Sequence, residues 1–90
     1  MLDVIILAGL FALAGYCWYQ IRNWFTRKKL SHSDYGELRI AERLATGQYK
    51  VVSGVFGGDN VLLYQAEWVV DDTQETRSVF NGTQKVRIKI

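Results

Sequence analysis

The sequence predicts an α+β protein: an N-terminal single transmembrane helix, then one short helix and a small, mainly antiparallel four-stranded sheet. Three observations carry this reading. Val4 to Ile21 is an eighteen-residue stretch without a charge. Residues 34–46 repeat apolar side chains at helical spacing, and from Tyr49 onward the period falls to two. The chain of 90 residues has room for one anchor and one small domain. Residues 1–30 read as the anchor with its basic exit and residues 31–90 as a cytoplasmic domain.

The stretch VIILAGLFALAGYCWYQI makes a helix of roughly 27 Å at about 1.5 Å per residue, close to the hydrocarbon thickness of a bilayer. Ala12-Leu13-Ala14 offers a small-x-small cleavage pattern, but Met1-Leu2-Asp3 is acidic and the apolar run continues well past it. That points to an uncleaved signal-anchor. A lipobox would place its cysteine directly after Gly15, whereas Tyr16 intervenes before Cys17. Arg22, Arg27, Lys28 and Lys29 follow the span and only Asp3 precedes it. The positive-inside rule therefore sets the N-terminus outside and the C-terminal domain in the cytoplasm. Trp18, Tyr19, Trp24 and Phe25 then fall where an aromatic belt meets the headgroups. Ala8, Ala12 and Gly15 share one helix face, whose small side chains let a second membrane helix approach closely.

In the domain, Asp34 and Glu37 are spaced as a capping box, and Leu38, Ala41, Leu44 and Ala45 make an apolar stripe. Thr46-Gly47 closes that helix. Tyr49 to Phe56 reads as the first strand, Gly57 to Asn60 as a turn, and Val61 to Val70 as a second strand. The second strand is partly apolar on both faces, which suggests a central position. Asp71-Asp72-Thr73 turns the chain into a strand over Thr76 to Phe80. Asn81-Gly82 is a strong hairpin signal leading to a final strand over Thr83 to Ile90. There Val86, Ile88 and Ile90 face inward, and Lys85, Arg87 and Lys89 face out as a basic ladder that either keeps an exposed edge soluble or touches lipid phosphates or an anionic partner.

Charge and reactive residues narrow the function. The net charge of +2 comes from the membrane exit: from Ser31 onward seven Lys and Arg face eight Asp and Glu. That balance argues against nucleic acid as a partner. The single cysteine, Cys17, lies in the apolar stretch and the single histidine, His32, in the linker, so no Ser–His–Asp, Cys–His or zinc set assembles. Gly54, Gly57 and Gly58 lack the following helix that a phosphate loop needs. No cofactor and no metal are implied.

The segment Tyr35-Gly36-Glu37-Leu38-Arg39-Ile40-Ala41-Glu42-Arg43-Leu44, followed by Tyr49-Lys50-Val51-Val52, resembles the helix and strand of membrane-anchored nuclease-related (NERD) domains. Gln65-Ala66-Glu67-Trp68-Val69-Val70 is similar to the family's metal-binding strand. The resemblance implies catalytic roles for Glu37, Glu67 and Lys89 in a reduced nuclease-like domain. Arg87 stands where a second metal carboxylate is expected, so it implies weakened or absent activity. The reading favoured by the residues themselves is a non-enzymatic, single-pass membrane protein. Its cytoplasmic module binds another protein as an accessory subunit of a membrane complex, and the anchor associates with another membrane helix or with itself.

Overall fold

Apolar side chains alternate along three consecutive segments, and these become an antiparallel sheet in the computed structural model of the protein, which describes residues 3–6, 16–28 and 33–89. The elements run β1 (Asp3–Ile6), α1 (Tyr16–Lys28), β2 (Ser33–Arg43), β3 (Tyr49–Gly57), β4 (Leu62–Val70), α2 (Gln74–Phe80) and β5 (Lys85–Lys89). The described residues form one five-stranded sheet in the order β1-β5-β2-β3-β4. Along β5-β2-β3-β4 each neighbouring pair is antiparallel, and β1 pairs parallel with β5. The α+β class and the mainly antiparallel sheet thus agree with the sequence. The order of the elements does not.

Helix α1 is amphipathic. Trp18, Ile21, Trp24 and Phe25 recur along one side and are buried, while Tyr19, Gln20, Thr26 and Arg27 are exposed. Val79 and Phe80 of α2 join them in one core over Leu38, Val51, Val55, Val86 and Ile88. Both helices therefore cover the same sheet face. Phe25 lies against Gly36, where an added Cβ would stand 2.7 Å from the ring and 3.2 Å from Ile88 Cβ. Glycine at this position lets α1 come down onto β2.

Several expectations are corrected. Residues 34–46, expected as a helix, form β2 and the hairpin turn after it. Gly36, Leu38 and Ile40 also recur with period two, and β3 and β5 flank this segment on both sides. Of the anticipated stripe only Leu38 is buried, while Ala41 and Ala45 are exposed. A helix here buries little, whereas a strand completes two ladders. Gly47, at φ 89°, makes the turn to β3, with its N–H donating to the Leu44 carbonyl at 2.9 Å.

Residues 76–80, expected as a strand, lie in α2. Thr73 caps that helix, its hydroxyl accepting the Thr76 N–H at 3.3 Å. Thr76, Val79 and Phe80 make its buried side. Asn81-Gly82 ends the helix in left-handed conformation instead of turning a hairpin, and the Asn81 N–H donates to the Arg77 carbonyl. The same backbone preference serves both kinds of turn.

Strand β4, expected to be central, stands at an edge of the sheet among the described residues. Strand β5, expected to be an edge, runs between β1 and β2. The helical crossover through α2 carries the chain back over the sheet to the far side of β2.

Among the described residues no helix is long and apolar enough to cross a membrane. Residues 16–21 of the expected span form the first turns of α1, and Val4 to Ile6 lie in β1. Residues 7–15 of that span, Ala8, Ala12 and Gly15 among them, lie outside the described residues, as does Lys29.

Candidate interaction surface

The sheet presents two distinct surfaces to solvent: the face away from the helices and the outer edge along β4. The face away from the helices is built by the period of two. Cross-strand register aligns Arg87, Glu37, Gly54 and Gln65 in one row and Lys85, Arg39, Val52 and Glu67 in the next. Arg39 thus stands directly opposite Lys85, a like-charge pairing that the sheet must offset elsewhere.

At one end of this face three side chains stack. The Arg87 guanidinium lies 4.1 Å from the Tyr35 ring centroid, and Tyr35 stacks on Phe56 at 5.1 Å with 12° between the planes. The Tyr35 hydroxyl donates to Asn60 Oδ1 at 3.0 Å. This fixes the short turn after β3, where Asp59 and Asn60 both adopt positive φ. Arg87 is therefore committed to an aromatic partner and is not a free member of a basic ladder.

The β4 edge is different in character. Val61, Leu62, Tyr64 and Val69 are exposed large apolar side chains, with Val61 at 55% and Leu62 at 46%. The inner side of the same strand is well tied down. The Trp68 indole N–H donates to the buried Ser53 hydroxyl at 2.8 Å, and Trp24 meets Trp68 edge to face at 6.5 Å. The Lys28 amine lies 4.9 Å from the Tyr64 ring centroid. Lys50 and Glu67 form an ion pair at 3.4 Å with both side chains substantially exposed, a pair worth at most about 1 kcal/mol. Strand β4 is thus held in register against β3 and α1, while Leu62, Tyr64 and Val69 keep much of their side-chain surface exposed.

The residues singled out in the sequence separate on this frame. Trp18, Trp24 and Phe25, expected at a membrane interface, are in the core against the sheet. Trp18 donates its indole N–H to Thr76 Oγ1 at 3.3 Å and meets Phe80 edge to face. Tyr19 and Arg27 are exposed, and Arg22 and Lys28 are half-buried. Polar Gln20, Arg22, Asn23, Thr26 and Arg27 interleaved with the aromatics are the signal for an amphipathic helix instead of a belt.

Glu37 and Glu67 lie on the same face but on β2 and β4, with β3 between them. Two inter-strand spacings and a two-residue offset put their backbones about 12 Å apart. Glu37 stands opposite Arg87, Glu67 pairs with Lys50, and Lys89 ends β5. Among the described residues no three His, Cys, Asp or Glu side chains group to hold a metal. What sequence reasoning missed is the edge. Its signal is the absence of Lys and Arg from Leu62–Val70.

Comparison with known protein families, curated proteins and solved structures finds no match to this chain.

Proposed function

We propose that this chain is a small protein-interaction module held at a membrane, and that it acts as an accessory subunit whose partner docks along β4. One observation carries the reading: a nine-residue edge strand with exposed large apolar side chains. Edge strands of this kind are templates for pairing with another chain. Beside it Lys50 pairs with Glu67, and on the same face Arg87 lies on the Tyr35 ring, whose hydroxyl donates to Asn60.

Attachment to the membrane rests on the uncharged stretch Val4 to Ile21 and the cations after it. That stretch overlaps β1 over residues 4–6 and α1 over residues 16–21. The depth of insertion therefore decides whether Trp18 and Ile21 keep their places on the sheet or move to the lipid. Two measurements test the two halves of the proposal. Carbonate extraction of membranes should leave the full chain in the pellet, with a C-terminal tag inaccessible to external protease in intact cells. Release into the supernatant overturns the attachment. Hydrogen exchange in the native membrane should show the outer amides of β4 protected beyond what the purified chain shows. Equal exchange in both overturns the docking strand.

A further inference from the structure

We propose that Arg39, Lys85 and Arg87 form a binding site for a single phosphate group, a phosphomonoester dianion, on the sheet face away from the helices. The site belongs to β2 and β5 and is independent of what docks along β4.

Register sets the geometry. On two antiparallel strands Lys85 stands directly opposite Arg39, and Arg87 directly opposite Glu37. Opposed residues have Cα atoms about 4.5–5.5 Å apart. Residues two apart along a strand are about 7 Å apart and share a face, so four charged side chains rise from a patch of roughly 5 by 7 Å. Arg39 and Lys85 are exposed, and Glu37 and Arg87 are half-buried. Side chains of this length can converge on one anion above the middle of the patch.

Charge selects the ligand. Like charges directly opposite one another destabilise a sheet, and no acid among the described residues relieves this pair. The ion pairs of the described residues engage Arg43, Lys50 and Arg77 with Asp72 and Glu67; Arg39, Lys85 and Arg87 take no part in them. Glu37 is the one carboxylate in the patch, so three cations against it leave two positive charges. A phosphomonoester carries about −1.5 to −2 at pH 7, whereas a carboxylate brings a single charge. The planar fork of arginine also matches phosphate oxygens. The patch suits one such group and not a polyanion. Along the row Lys85, Arg39, Val52 and Glu67 the surface turns apolar one strand away and acidic at the next.

Arg87 is held ready for this role. Its guanidinium lies on the Tyr35 ring, Tyr35 stacks on Phe56, and Asn60 accepts from the Tyr35 hydroxyl. Stacking uses the face of a guanidinium and leaves its N–H donors for an acceptor in the plane. Within the fold such acceptors are short: Arg87 Nε is buried without a hydrogen-bond partner. Arg87 is thus a fixed donor beside the opposed pair, and an anion above all three offsets the repulsion between Arg39 and Lys85.

The test follows amide resonances of the full chain in detergent while inorganic phosphate is titrated in, with chloride keeping the ionic strength fixed. Residues 37–39 and 85–87 should shift and saturate. Arg39→Gln and Lys85→Gln should each weaken binding about tenfold, as loss of a charge-assisted contact does. Both changes also relieve the like-charge opposition, so weaker binding is not a loss of fold, and unchanged resonances along β3 verify this. Glu37→Gln removes the opposing carboxylate and should tighten binding about threefold. Phosphatidylcholine nanodiscs with and without phosphatidic acid separate the two sources of the group. If a lipid headgroup reaches the site, the shifts are present in the phosphatidic acid discs and added phosphate moves them no further. If both discs titrate alike, the ligand is a soluble phosphate. No saturable shift from either source overturns the proposal, as does binding indifferent to Arg39→Gln and Lys85→Gln.

Discussion

Strands β3 and β4 lie side by side, each nine residues long and each rich in Val, Leu or aromatic side chains, yet water treats them oppositely. Along β3 the five residues from Val51 to Val55 are all buried; along β4 only Val70 is. Strand β3 has a neighbour on either side, α1 above it, and Tyr35, Phe56 and Leu62 folded across its other face. Strand β4 has described neighbours on one side only. Burial here is set by position in the sheet and not by apolar content. An apolar strand left at an edge is then either a liability or an interface.

That contrast gives a graded set of expectations for unfolding in urea, followed by tryptophan fluorescence of the full chain. The largest effect should come from stripping the cover over β3. Ile21 is fully buried, so Ile21→Ala should cost about 2–5 kcal/mol. An unchanged midpoint instead shows that residue 21 is in lipid and not on the sheet. Next is Gly36→Ala, which forces a methyl group against the Phe25 ring and should cost about 1–3 kcal/mol by overpacking. A neutral result means α1 is not held down where the structure has it.

Thr73→Ala removes the cap of α2 and should cost about 1 kcal/mol. It tests whether residues 74–80 are the helix that carries the chain from β4 back to β5, because a strand there has no cap to lose. At the far end of the scale, Val69→Thr, at a side chain 53% exposed on β4, should move stability by no more than about 0.5 kcal/mol. A loss comparable to that of Ile21→Ala means the edge is covered even in the isolated chain, and the contrast between the strands is lost.

The sheet ladder over β3 and β4 was legible in the sequence because period two is sustained there and bounded by Gly47 and by the Gly57–Asn60 cluster. The inward side of β5, Val86 and Ile88, was legible for the same reason. The segment Ser33–Arg43 was not, because its apolar residues fit both periods and its Glu, Arg, Leu and Ala content favours a helix in isolation. Gln74–Phe80 was not, because five residues of strand-forming pattern before Asn-Gly resemble half a hairpin. Only the burial of Thr76, Val79 and Phe80 on one side separates the two.

Of the interaction surface, the sequence revealed the residues without their setting. Tyr64, Trp68 and Val69 were visible as apolar positions on a strand with two half-apolar faces, which suggested burial on both. Taken alone, the sequence determined the α+β class, the long uncharged N-terminal stretch, the division of charge between its exit and the domain, and the poverty of reactive side chains. Each follows from composition and local period. Only the tertiary structure decided that α1 lays Trp18, Ile21 and Phe25 on the sheet, that β5 enters beside β2, and that β4 is therefore left at the rim. Strand order is fixed by contacts between residues far apart in the chain, and local period carries no information about which strand ends up last in the order of the described sheet.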